Sequence, residues 1–277
     1  MNSPRTAHLR SLGMLLGLGL SLAVVNCGDD GNTSTGTSTG SDTSTSTSTG
    51  AASTGSGGSG GAAATTGSAA STGTGTGTSG AGGGEAKSLS FFVSSTGSKT
   101  ANLGGLAGAD KRCQDLAAAV GAGAKTWRAY LSIEKGPTDG PVHAKDRIGA
   151  GPWYNAKLEM VAADLKTLHE RFGDHTVFLD EKGEMVPGQW ANSPTPNEHD
   201  ILTGSKRDGT LEPGKTCADW TSEDVAMTAI VGHSDGLGPS MSADPMYRPW
   251  NTVHENGSCG DTAPKGGSGR IYCFAMN

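Results

Sequence analysis

The sequence predicts an α+β domain over residues 85–277, and three observations carry that prediction. An amphipathic helix is followed at once by an alternating strand, a second alternating strand stands at the extreme C-terminus, and four cysteines are spread across the region. In "GLAGADKRCQDLAAAVG" the apolar or small residues Leu106, Ala109, Cys113, Leu116 and Val120 recur at helical offsets. Asp110, Lys111, Gln114 and Asp115 take the other face, and Gly121 ends the helix. Cys113 therefore falls on the face meant for burial. In "KTWRAYLS" Trp127, Ala129 and Leu131 alternate with Thr126, Arg128 and Tyr130, the period of a half-buried strand. "SLSFFVSS" upstream reads as another strand. Region 153–172 admits two readings: a helix through Leu158, Val161, Leu165, Leu168 and Phe172, or a short strand "LEMVA" leading into a helix from about Asp164. "HTVFLDEKGEMV" reads as a hairpin turning at Lys182-Gly183, and beyond Pro187 Gly and Pro break the chain into loops. In "GRIYCFA" Ile271, Cys273 and Ala275 alternate with Tyr272 and Phe274, and a strand at a terminus is held by pairing within a sheet.

The 84 residues before this domain have another character. Arg5 and Arg10 precede the apolar run "LGMLLGLGLSLAVV" of about 14 residues, shorter than the ~20 that span a bilayer. That is the pattern of an export signal, assigned to residues 1–26. Cys27 follows directly, and the arrangement resembles a bacterial lipoprotein signal in which this cysteine is lipidated; Asn26 departs from the small residue usual before it. The competing reading is a secreted protein with an unpaired Cys27. Apart from Asn32 and Asp42, residues 31–84 are all Gly, Ser, Thr or Ala. Such a segment has no means of building a core and reads, within 27–84, as a disordered tether spanning about 40 Å. Gly28 after the cysteine points to the outer membrane for a lipoprotein of a double-membrane cell, facing either outward or into the periplasm.

The chain has 21 basic and 27 acidic residues, and removing the signal removes two of the basic ones. An acidic protein without a polybasic stretch argues against nucleic acid and anionic lipid as partners. With Cys27 set aside, Cys113, Cys217, Cys259 and Cys273 form an even set in an oxidising compartment, which favours two disulfides among three pairings. No C-x-x-C pair exists and no cysteine has a histidine at ligand spacing, so a cysteine-bound zinc is disfavoured and no metal residues are assigned.

The segments "GLAGADKRCQDLAAAVGAGAKTWRAYLS", "RIGAGPWYNAK", "HDILTGSKRDGT", "CADWTS" and "SGRIYCFA" stand in an order that resembles uncharacterised bacterial lipoproteins. The arrangement is similar to endostatin, and the resemblance over roughly 90–277 is to the C-type lectin-like fold. It implies a mixed, mostly antiparallel sheet with one or two flanking helices, long loops and two nested disulfides, Cys113–Cys273 and Cys217–Cys259. It also favours the strand reading of "LEMVA". The departures count equally. "TPNEHD" (195–200) and "PWNT" (249–252) do not match the triplets by which such lectins hold sugar through calcium. Endostatin's clustered arginines and amino-terminal histidines are missing too.

Polar and aromatic residues concentrate in 197–259. Asn197, Glu198, Asp200, His233, Asp235, Trp250, His254 and Asn256 are the candidate ligand-binding residues, with His199, Trp220 and Glu255 among them in sequence. Sugar recognition needs an aromatic face and fanned carboxylates and amides, which Trp250 with Asn251, His254 and Asn256 supplies in kind. The plainer reading makes Trp220 and Trp250 core anchors. Calcium has oxygen-rich runs available in "NEHD" and "DGLGPSMSADP", but neither has EF-hand spacing. None of the hydrolase, phosphate-loop or dinucleotide motifs is present, and "HSD" (233–235) has triad residue types without triad geometry. The expectation is a lipid-anchored, non-enzymatic binding or adhesion module for glycan or an extracellular protein. A structural envelope lipoprotein and a surface hydrolase are the alternatives.

Overall fold

The computed structural model describes residues 87–276. The expected signal, the expected lipidation at Cys27 and the expected tether lie outside the described residues. Among the described residues no helix is long and apolar enough to cross a membrane.

The domain is α+β, as expected. Its main sheet is organised on the C-terminal strand β8 (Gly267–Met276), which β1 (Phe91–Val93) and β2 (Thr126–Ala129) pair antiparallel. β5 (Asp200–Leu202) joins β8 in parallel, then β6 (Ile230–His233) and β7 (His254–Glu255) follow antiparallel. A separate two-stranded ribbon pairs β3 (Trp153–Tyr154) with β4 (Met160–Ala162). β4 leads into α2 (Leu165–Glu170), whose start is fixed by a capping box between Asp164 and Thr167. This settles region 153–172 for the short strand followed by a helix. The segment 177–186 is narrower than a hairpin: Asp180 and Glu184 close a turn at Gly183, with a single bridge between Leu179 and Met185.

β8 is buried on both faces, and this explains why every residue of "RIYCFA" is apolar or paired. Ile271, Cys273 and Ala275 face one core with Phe92, Trp127 and helix α1 (Gly105–Ala119). Tyr272 and Phe274 face the other, with Phe91, Trp153, Phe178 and Trp250 in edge-to-face and tilted contacts. Three side chains depart from the expected pattern, and the first is Val120, which the helical stripe places for burial but which is exposed just past the end of α1. Tyr130 is fully buried rather than outward, its hydroxyl hydrogen-bonded to His169 and Asn251. Asp110, placed by periodicity on the wet face of α1, is also buried. It accepts hydrogen bonds from the Ala129 N–H, Arg128 and Arg147, and so ties helix to strand.

Both disulfides, Cys113–Cys273 and Cys217–Cys259, join as the resemblance implies. The first staples α1 to β8 with its cysteines fully buried. By loop entropy the two contribute up to about 5 and 4 kcal/mol. The inner bridge begins in an unusual turn: Cys217, Ala218, Asp219 and Trp220 all have positive φ, between 50° and 67°. This left-handed turn is fixed by the disulfide, by burial of Trp220 and by its indole N–H bond to the Ser132 carbonyl.

Candidate functional site

Strand register assembles the candidate residues. Asp200 on β5 stands directly opposite His233 on β6, so both side chains leave the same face of the sheet. His254 on β7 pairs with Val231, two residues from His233, and becomes its diagonal neighbour. His199 precedes β5, and the pairing of β5 with β8 shifts register between Asp200 and Ile201. Such bulges re-aim side chains, and here His199 and Asp200 turn to one centre. Gly232 makes the close approach of strand and loop feasible, since a Cβ there would meet the Trp250 carbonyl.

In that centre His199 Nε2 and His233 Nε2 each lie 3.3 Å from Asp200 Oδ1. His254 Nε2 lies 3.1 Å from His233 Nε2 and 3.7 Å from Asp200 Oδ2. The His199 and His233 rings stack at 4.2 Å. The His199, Asp200, His233 and Asp235 side chains are all nearly closed to solvent, whereas the His254 side chain is 32% exposed. His199 Nδ1 is 2.8 Å from Asp235 Oδ1, and His254 Nδ1 is 2.9 Å from the Glu255 carbonyl. Burial holds the His233 imidazole below its ordinary value; His199 and His254 act in the same direction, and Asp200 opposes them. Burial works to raise Asp235, but the hydrogen bond and charge of His199, with the Leu237 N–H, keep its carboxyl below the usual range. His199, Asp200 and His233 each offer a ligand atom, all within 4.8 Å of one another.

The remaining candidates fall elsewhere. Trp250 is fully buried, its indole N–H bonded to the Leu168 carbonyl, and presents no face to a sugar ring. Core packing takes it because Tyr130, Phe178 and Tyr272 surround it. Asn256 is buried and closes its own loop, accepting from the Ala229 N–H and donating to the Ser258 carbonyl. Glu198 is committed to an ion pair with Arg270. Asn197 lies against Gly266, outside the cluster. Trp220 is a core anchor. Within "HSD", none of the described hydrogen bonds joins the Ser234 hydroxyl to a histidine or carboxylate, while His199 contacts Asp235.

Two aromatic residues that sequence reasoning passed over border the cluster. Trp190 stacks on His175, its backbone N–H reaches Asp235 Oδ2 and its indole N–H donates to the Val186 carbonyl; Tyr247 lies parallel to the His233 ring at 6.1 Å. Both are partly exposed. Their signal in the sequence was weak, because each stands in a single 3-10 turn of three residues, Gln189–Ala191 and Pro245–Tyr247, too short to leave a periodic pattern.

No family model matches this chain, and no curated protein matches it.

Proposed function

We propose that the chain is an exported, lipid-anchored binding module of the C-type lectin-like class, held off a membrane by its Gly/Ser/Thr tether and without enzymatic activity. The observation that carries this reading is the construction of the loop half. Segment 187–265 has little regular structure, yet it is fastened by Cys217–Cys259, by the buried Trp220 and Trp250, and by the histidine–aspartate cluster. Loops fixed on a rigid scaffold are where proteins carry recognition. With Trp250 in the core, Trp190 and Tyr247 are the aromatic surfaces that face a ligand, beside the half-exposed His254. Glycan and extracellular protein share the chemistry these groups recognise: apolar ring faces flanked by hydroxyls and amides.

The test is a glycan array and a panel of matrix proteins probed with the full chain, next to Trp190→Ala and Tyr247→Ala. Binding that falls at least tenfold in either variant supports the reading. A ligand retained by both variants would move the binding face elsewhere, and silence on both panels would favour a structural envelope role.

A further inference from the structure

We infer that His199, Asp200, His233 and His254 form a binding site for one borderline transition-metal ion of the zinc class. The inference rests on the donors alone and is independent of the ligand reading above.

The hydrogen-bond pattern comes first. The Glu255 carbonyl can only accept, so His254 Nδ1 carries a proton and its Nε2 presents a lone pair. Asp235 holds His199 in the same sense through Nδ1, leaving Nε2 directed at the cluster. His233 Nδ1 is buried without a partner, and so are both oxygens of Asp200. Protons alone do not resolve this arrangement. The nearest nitrogens, His199 Nε2 and His233 Nε2, stand 3.3 Å from Asp200 Oδ1 without an aligned hydrogen bond, so the buried carboxylate is left with ionic contacts alone. A cation at the centre answers the Asp200 carboxylate and the Nε2 atoms of the three histidines together.

The distances agree. Four ligands at 2.0–2.1 Å around a tetrahedral ion stand about 3.3–3.4 Å apart. The separations of Asp200 Oδ1 from His199 and His233 are both 3.3 Å; His254 Nε2 stands 3.1 Å from His233 Nε2 and 3.7 Å from Asp200 Oδ2, at the edge of the three donors that all lie within 4.8 Å of one another. Donor type then selects the ion. Three imidazole nitrogens and one carboxylate suit zinc and its neighbours, whereas calcium takes six to eight oxygens. Only Asp200 offers free carboxylate oxygens here, since Asp235 is engaged with His199, Trp190 and Leu237. The four described cysteines are all in disulfides and supply no thiolate. His199, Asp200 and His233 supply three converging donors, and the half-exposed His254 completes the tetrahedron by closing onto the ion, the pattern of a structural site. The ion therefore pins β5, β6 and β7 together, with His254 on the accessible side.

The experiment strips the full-length chain with a chelator and titrates it with Co²⁺, then with Zn²⁺ in competition. The expected result is one Co²⁺ per chain with the strong visible absorption of a tetrahedral site, displaced by one equivalent of Zn²⁺ and not by Ca²⁺. His254→Ala should lose the tetrahedral spectrum. Asp235→Asn, which keeps all four donors, should weaken the affinity about 10–100-fold. His175→Gln, outside the cluster, should bind as the parent does. A parent chain that gives no tetrahedral spectrum, or that exchanges the ion for Ca²⁺, overturns the site even if a variant misfolds. Unchanged binding in both His254→Ala and Asp235→Asn overturns it as well.

Discussion

Asp110 shows how one residue joins two elements. Its carboxylate takes the Ala129 N–H at 2.9 Å and both Arg147 contacts at 2.7–2.8 Å, while the Arg147 side chain is only 9% exposed. Removing the carboxylate strands a buried guanidinium, so Asp110→Ala should lower stability by about 3–5 kcal/mol in denaturant titration. The neighbouring Lys111–Asp115 pair lies on the open helix face, and Asp115→Ala should cost only a few tenths of a kcal/mol. Equal losses from the two substitutions would contradict this assignment. Periodicity placed both aspartates on one wet face, because a helical stripe cannot foresee an arginine arriving from residue 147. For Trp250 the sequence leaves two readings open: an indole flanked by Asn251 and His254 has the composition of a sugar platform or of a core anchor, and the packing of Tyr130, Phe178 and Tyr272 around it makes it an anchor. Asp200, His233, Asp235 and His254 were legible as polar loop residues, yet not as one cluster. Their contact depends on the register of β5, β6 and β7, and three strands of two to four residues leave almost no periodic trace.

Element by element, local pattern succeeded where an element has a long uninterrupted signature. Helix α1 ends where Gly121 predicts, with φ +79°, and β8 follows from its apolar alternation. The left-handed turn Cys217–Trp220 had no such signature, since its residues are ones that rarely adopt positive φ. Ala218 is exposed at φ 50°, ψ 56°, so its methyl adds steric cost without packing. Ala218→Gly should therefore raise stability by about 1 kcal/mol, seen as a higher melting temperature with the disulfide intact. A lower melting temperature would mean that the turn is not left-handed in solution. The same substitution in the last turn of α1, Ala118→Gly, should instead destabilise, by up to about 1 kcal/mol.

Across the molecule, the two halves are held by different means. Helix α1, β1, β2 and β8 enclose an apolar core stapled by Cys113–Cys273. The loop half has less apolar content and relies on Cys217–Cys259, two anchoring tryptophans and the inward-facing cluster of β5, β6 and β7. A metal at that cluster stabilises by binding the folded state, so its removal should lower the melting temperature, and restoring it should raise the melting temperature with the logarithm of the free ion concentration. The claim on which this picture turns is the identity of the atoms around the ion. X-ray absorption at the zinc edge of the loaded full-length chain reads them directly. The account predicts one zinc with three imidazole nitrogens and one oxygen at about 2.0–2.1 Å. A sulfur shell, or an all-oxygen shell without imidazole scattering, would contradict it.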